Sequence, residues 1–202
     1  MRIHLATGNA HKLREFAALA RGGRPEPELV APAAMPLVAE DTGTFAGNAR
    51  KKAAALKALL PPEAWVLADD SGLCVDALGG APGVESAYYA GPAGDGAANL
   101  AKLVRTMRGV PEEKRGAHFI CVLVLLAGSS EAEHVFEGRC AGRLQSAPAG
   151  GAGFGYDPLF VPAGGTATYA QLGDAFKNTF SHRALAWRQL AQWLSGGPAA
   201  PA

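Results

Sequence analysis

The residues best placed to do chemistry are Asp69 and Asp70. They follow the apolar run Val66-Leu67-Ala68 and lead directly into Ser71-Gly72. A short strand that ends in two carboxylates, a hydroxyl and a glycine puts acids at the mouth of a sheet, where α/β proteins hold their ligands. Successive strand residues point to opposite faces, so the two acids are expected to do different work. An isolated Asp-Asp-Ser-Gly also suits a plain polar turn. The rest of the chain favours chemistry, because it supplies lysines, glycines and another acid at similar exits.

Thr7-Gly8-Asn9 is a turn signal immediately before a helical pattern that starts at Ala10. Backbone N–H groups at that helix start, together with the Lys12 ammonium, make an anion site; a simple N-cap turn has the same spelling. The spacing is neither a Walker A loop nor GxGxxG. Glu40-Asp41-Thr42-Gly43 precedes a second helix, on which Asn48 and Lys52 lie four apart and share a face. That face either points into a cleft or belongs, with Arg50 and Lys51, to solvent. Further on, residues 150–155 hold four glycines beside Phe154. Glycines let backbone approach a ligand and Phe154 can stack on a planar base, although a flexible hairpin with a buried aromatic anchor fits as well. Ser181 is a candidate N-cap for a last helix. Arg183 in that first turn is disfavoured by the helix dipole and calls for an anion or an acceptor.

The elements that must position these residues follow from periodicity. Residues 2–6 read as a strand, and Leu13, Phe16, Ala17 and Ala20 as the apolar face of a helix stopped by Gly22-Gly23 and Pro25. Prolines 32 and 36 leave only a short, edge-like strand within 28–38. A helix over 45–60 buries Phe45, Ala49, Leu56 and Leu59 or Leu60. After the central strand comes a loop-rich passage from Cys74, then a helix over 97–107 and an interior strand over 119–127. A turn at Gly128-Ser129-Ser130 leads to a returning antiparallel strand over 134–140, extended by Gly142-Arg143-Leu144. Strand–turn–strand after βα units predicts an α/β fold with a mixed sheet.

Composition narrows the partners. A formal charge of +1 on 202 residues gives no global field to attract a nucleic acid polymer or a membrane surface. Three cysteines without CxxC spacing predict reduced, buried thiols and a cytoplasmic protein. The N-terminus reaches Gly8 too soon for a signal peptide, and the apolar run 119–127 is too short to cross a bilayer. A single domain over 1–195 and a disordered tail over 196–202 complete the expected organisation.

Six stretches then fall in one order from Thr7 to Arg183. They are Thr7-Gly8-Asn9-x-x-Lys12, Glu40-x-x-x-Thr44-Phe45-x-x-Asn48-Ala49-x-x-Lys52-Ala53, Ala68-Asp69-Asp70-Ser71-Gly72-Leu73, Gly79-Gly80-Ala81-Pro82-Gly83, Gly153-Phe154-Gly155-Tyr156-Asp157-Pro158 and Ser181-His182-Arg183. In this combination the chain resembles the inosine triphosphate pyrophosphatases, or non-canonical purine (dITP/XTP) NTP pyrophosphatases. Gly47 departs from the pattern, since relatives often carry an acid there; the position reads as helix surface. The spacing to Thr44-Phe45 selects Glu40 over Asp41.

The resemblance implies Mg²⁺-dependent hydrolysis of ITP, dITP and XTP to the monophosphate and pyrophosphate. It implies an elongated mixed α/β fold, two lobes around a central active-site cleft, and a homodimer. Mg²⁺ takes oxygen ligands and keeps waters, so Glu40 and Asp70 suffice as its protein ligands, with Asp70 also the general base toward water. Thr7, Gly8, Asn9, Ala10, His11, Lys12 and Lys52 are the implied phosphate contacts, and Lys177 reaches phosphate or base. Ser71 hydrogen-bonds the nucleotide. Phe154 stacks on the purine beside Gly155 and Tyr156, while Asp157, His182 and Arg183 read its edge. Two other classes compete. A nucleotide sensor would need the anion site without Glu40 and Asp70, and a phosphatase with an aspartate nucleophile would need a DxD spacing that is missing.

Overall fold

A computed structural model describes residues 1–23, 25–130 and 132–196. Its elements are β1 (Arg2–Ala6), α1 (Ala10–Ala20), β2 (Glu28–Val30), α2 (Phe45–Lys57), β3 (Trp65–Val75), α3 (Gly96–Thr106), β4 (Gly116–Leu126), β5 (Glu133–Leu144), β6 (Phe160–Pro162), α4 (Tyr169–Phe180) and α5 (His182–Leu194). The strands form one six-stranded sheet in the order β2-β1-β3-β4-β5-β6. β1 pairs parallel with β2 and with β3, whereas β5 and β6 run antiparallel. The mixed α/β sheet with flanking helices is therefore present, and β2 is its short edge.

The chain divides into two compact units. One comprises Met1–Asp70, Cys121–Gly138 and the chain from Arg183; the other comprises Ser71–Ile120 and Arg139–His182. The first unit buries apolar side chains on both faces of its strands. Ile3, Leu5 and Leu67 pack with Phe16 of α1 and with Trp187 and Leu190 of α5. Ala6, Val66 and Ala68 pack with Ala49, Ala53 and Leu56 of α2. The alternation along β3 follows from the two-residue period of a strand. The second unit has its own core of Leu73, Val75, Leu103, Phe119, Phe160 and Tyr169.

Several boundaries differ from expectation, each for a visible reason. β3 does not stop at the acids but continues to Val75, because Leu73 and Val75 are themselves buried; the expected loop from Cys74 starts later. α2 ends at Lys57, which leaves Leu59 68% exposed and outside the apolar face. Neither β6 nor α4 is anticipated by periodicity. Gly173, at φ 76°, breaks helical geometry inside α4 and interrupts the apolar repeat. The usable signal was Thr168-x-x-Gln171, which forms a reciprocal capping box. Cys74, Cys121 and Cys140 are free thiols, with only Cys121 fully buried. Among the described residues no helix is long and apolar enough to cross a membrane. Residues 197–202 of the expected tail lie outside the described residues.

Candidate active site

β1 ends at Ala6, whose parallel partner is Ala68. Asp69 and Asp70 are the next two residues of β3, so they run past the end of the neighbouring strand rather than closing their own. The side-chain alternation then separates them. Asp69 follows Leu67 toward α1, where its Oδ2 lies 2.7 Å from Lys12 Nζ. Asp70 follows Val66 and Ala68 toward α2, where Oδ1 lies 3.1 Å from Lys52 Nζ and Oδ2 accepts from Asn48 Nδ2 at 3.1 Å. Both carboxylates are buried.

Helix α2 is built to deliver these partners. Thr44 caps it by accepting from Gly47 N–H, and its buried face is Asn48, Ala49, Lys52, Ala53 and Leu56. Of the two readings open for Lys52, the inward one holds, since only 9% of the residue is exposed. Arg50 and Lys51 are instead paired with Glu133 and Asp41. Glu40 Oε2 stands 3.5 Å from Lys52 Nζ, so Glu40 and Asp70 converge on one ammonium, while Asp41 does not join them.

The four-residue spacing predicts Asn48 only as a neighbour of Lys52, and the structure adds it to the site. Its Oδ1 accepts from the Thr42 N–H at 3.2 Å and from Thr42 Oγ1 at 2.7 Å, which fixes its amide toward Asp70. Gly47 belongs to this arrangement and is not plain helix surface. A Cβ there would sit 2.3 Å from Thr42 Oγ1, where the hydroxyl that orients Asn48 lies.

Electrostatics push the adjacent acids apart. Burial drives the Asp70 carboxyl up, and Glu40 and Asp69 add to it; Lys52 and Lys12 offset only part. Burial also acts upward on Asp69, but Lys12, Lys52 and Arg183 outweigh it and hold that carboxyl below the usual aspartate range. For Lys52 burial works against the charge, and the fields of Asp69, Asp70 and Glu40 outweigh it, so the ammonium is retained. A pair of acids with opposite shifts is the pattern that assigns different roles to two like groups.

Among the described residues no group of three or more His, Cys, Asp and Glu side chains is assembled as a metal cage. What the first unit offers is two carboxylates sharing one cation. That suits a hard divalent ion such as Mg²⁺, which binds one or two carboxylates and fills its remaining positions with water and phosphate oxygens.

The turn before α1 is already internally bonded. Asn9 Oδ1 accepts from the N–H groups of His11 and Lys12 at 2.9 and 3.2 Å, and Asn9 N–H donates to Thr7 Oγ1 at 3.2 Å. These backbone donors thus serve the cap, and the part of the motif that reaches the acids is the Lys12 ammonium. Gly8 and Ala10 are exposed, and the His11 ring meets Arg14. Arg183 Nη1 lies 2.8 Å from Glu15 Oε2, which supplies the anion that the helix dipole called for. Glu15 is not among the site residues expected from sequence; its spacing three residues after Lys12 puts both on one side of α1.

In the second unit Asp157 Oδ2 accepts from Phe154 N–H at 2.9 Å and from Lys177 Nζ at 2.8 Å, and that ammonium lies 5.0 Å from the centre of the half-buried Phe154 ring. The glycines here make room for the protein's own atoms. A Cβ on Gly153, at φ 75°, would meet Asp157 Oδ2 at 2.2 Å, and one on Gly150 would meet the Ala170 backbone at 2.5 Å. Tyr156 is buried and donates its hydroxyl to Ser86 O at 2.8 Å. Burial raises its phenol above the ordinary value, which keeps it a donor. The His182 ring is buried and stacks on Phe119 at 4.7 Å and 11°. Ser71 is half-buried on β3. Thus Tyr156 and His182, expected at the base, have their side chains packed within this unit.

A model of the Ham1 family matches residues 3–193. The chain is 60% identical over 200 residues to the dITP/XTP pyrophosphatase of Opitutus terrae, covering 96% of this chain and 98% of that one. It is 49% identical over 195 residues to the dITP/XTP pyrophosphatase of Geobacillus kaustophilus, covering 95% and 93%. The structure of a HAM1 protein from Coxiella burnetii superimposes with a TM-score of 0.84 at 34% identity, covering 98% of this chain and all of the other. The Staphylococcus aureus Ham1 protein gives 0.82 at 34% identity, covering 97% and 99%.

Proposed function

The chain belongs to the Ham1 family, and from that premise we propose that it hydrolyses non-canonical purine nucleoside triphosphates (ITP, dITP and XTP) to the monophosphate and pyrophosphate. It is a nucleoside triphosphate pyrophosphatase. One observation carries the mechanistic part: Glu40 and Asp70 share the Lys52 ammonium inside the first unit, with Asp69 holding Lys12 on the adjacent position of the same strand.

Mg²⁺ bound by Glu40 and Asp70 would lower the pKa of a bound water and neutralise phosphate charge. Asp70 is the general base in this reading. Burial, with Glu40 and Asp69, raises its carboxyl above the ordinary aspartate value, the direction that makes it a better proton acceptor, and Asn48 fixes its second oxygen. Asp69 remains ionised and holds Lys12 beside the acids, where Lys12 and Lys52 bind phosphates. In the second unit the Phe154 ring offers a stacking surface, shaped by Asp157 and Lys177, for a planar base. The cytoplasm and a homodimer complete the proposal; the free thiols support a reducing compartment.

Incubation with ITP and Mg²⁺, with products resolved as pyrophosphate or orthophosphate, tests the reading. Pyrophosphate released with inosine monophosphate supports it. Orthophosphate would make the protein a phosphatase, and bound but intact ITP would make it a sensor.

A further inference from the structure

The cations expected to meet phosphate or base are each held by an internal carboxylate. Lys12 is on Asp69, Lys177 on Asp157 and Arg183 on Glu15, all at 2.7 to 2.8 Å. Lys52 differs from the other three. It is held by two carboxylates at longer range, Asp70 at 3.1 Å and Glu40 at 3.5 Å, and they are the pair assigned above to the metal. A single buried ammonium therefore stands between the two carboxylates that would hold a divalent cation.

From this geometry we infer that Lys52 is a placeholder for the metal: it neutralises Glu40 and Asp70 while no cation is bound to them and is handed to the nucleotide's phosphates when a divalent cation takes those carboxylates. The inference rests on the metal-dependent reading above. Asp70 is buried and Glu40 half-buried, and two such carboxylates repel each other, so a positive group between them is favourable at rest. An ammonium and a divalent ion then compete for the same oxygens, and metal binding in the absence of nucleotide is held weak. Once a metal displaces Lys52, the four-carbon stem can turn the same charge onto a phosphate, which rewards nucleotide binding. Metal and nucleotide thereby strengthen each other, and linkage requires the enhancement to be equal in both directions. The neighbouring lysine on α2 provides the contrast. Lys51 is exposed and paired with Asp41, outside the carboxylate pair, so it has no part in the exchange.

The test measures Mn²⁺ binding directly, by calorimetry and by the paramagnetic signal of free Mn²⁺, with and without α,β-methylene-ITP, which cannot be cleaved to pyrophosphate. Parent, Lys52→Met, Lys52→Gln and, as control, Lys51→Met are compared, with thermal melting to establish that each is folded. Without nucleotide, Lys52→Met binds Mn²⁺ roughly tenfold or more tightly than the parent, on the scale of one lost competing charge at a partly buried site. Lys52→Gln, which keeps hydrogen bonds to the acids and secures the test if the methionine variant does not fold, moves in the same direction. In both variants the tightening of Mn²⁺ by the nucleotide analogue shrinks relative to the parent, and Lys51→Met matches the parent throughout. Unchanged or weaker Mn²⁺ binding without nucleotide in the Lys52 variants overturns the placeholder while leaving the metal site standing. Absence of Mn²⁺ binding in every protein, with or without the analogue, overturns the metal reading itself.

Discussion

Asn48 Nδ2 donates to Asp70 Oδ2 at 3.1 Å, and it does so from a side chain that Thr42 holds at the other end. An Asp70 carboxylate without this donor would keep its charge but lose its fixed plane. Asn48→Leu is therefore expected to lower kcat for ITP by one to two orders of magnitude, within the range typical of a misplaced general base. Thr42→Val, which removes the hydroxyl behind Asn48, should give a smaller loss in the same parameter. Steady-state kinetics separate the two, and a change in KM alone for Asn48→Leu would remove it from the positioning of Asp70.

Gly47 offers an independent check on the same relay. Gly47→Ala places a methyl group where Thr42 Oγ1 sits, so the hydroxyl must move off Asn48. Activity should fall toward that of Thr42→Val, although alanine is the better helix former by about 1 kcal/mol. The same methyl also crowds Thr42 Cβ and the capping Thr44 Oγ1, so reduced kcat with a lowered melting temperature is the expected signature. Unreduced kcat would show that Thr42 can yield without disturbing Asp70.

Asp69 and Asp70 differ in stability as well as in chemistry. For Asp69 the folded carboxyl lies below the ordinary value of 3.8, so its contribution to stability is complete above that pH and is lost as pH falls through the lower folded value. Asp70 has the opposite sign: its folded carboxyl lies above 3.8, so the stability linked to it is present below 3.8 and lost as pH rises through the raised value. At pH 7, without metal, Asp69→Asn should destabilise the protein by about 3 kcal/mol, the scale of breaking a buried ion pair. Asp70→Asn should leave stability unchanged or raise it while lowering kcat by roughly 10²-fold or more. Urea melts between about pH 3 and 7 check the first statement, since the gap between parent and Asp69→Asn must narrow at the acid end. Equal destabilisation by the two variants would undo this division of roles.

How much of this was legible in the sequence depended on the range of the signal. The strand alternation that sends Asp69 and Asp70 to different partners is a local rule, and it held. The four-residue spacing put Asn48 and Lys52 together, but whether their face was wet or buried depended on packing against Val66 and Ala68, which no spacing on α2 reveals. Four glycines beside Phe154 suit a ligand or a hairpin with an aromatic anchor equally, and only the fold shows that the atoms beside Gly150 and Gly153 belong to Ala170 and Asp157. The Glu15–Arg183 pair joins residues 168 positions apart and left only an unsatisfied helix dipole as its trace.

That pair leads to the prediction about base choice. Hypoxanthine and xanthine carry an oxo acceptor at position 6, where adenine carries an amino donor. A guanidinium has five donors and no acceptor, so an Arg183 directed at that position pairs with the first two bases and leaves both groups unsatisfied against adenine. Discrimination from such unpaired polar groups reaches factors of about 10⁴. Arg183 is not a loose reader, because Glu15 holds its Nη1 at 2.8 Å with both side chains mostly buried. Arg183→Ala should therefore lower kcat/KM for ITP and XTP and narrow their advantage over ATP. Glu15→Gln, which keeps a hydrogen-bond acceptor but removes the charge, should narrow it less, and Glu15→Ala should fall between those two. Guanine shares the 6-oxo group, so the advantage over GTP should change little in all three variants. Measuring kcat/KM for ITP, XTP, GTP and ATP across the series checks the ranking. An ITP-to-ATP ratio that survives Arg183→Ala would leave the guanidinium as a structural partner of Glu15, with the base read by other groups.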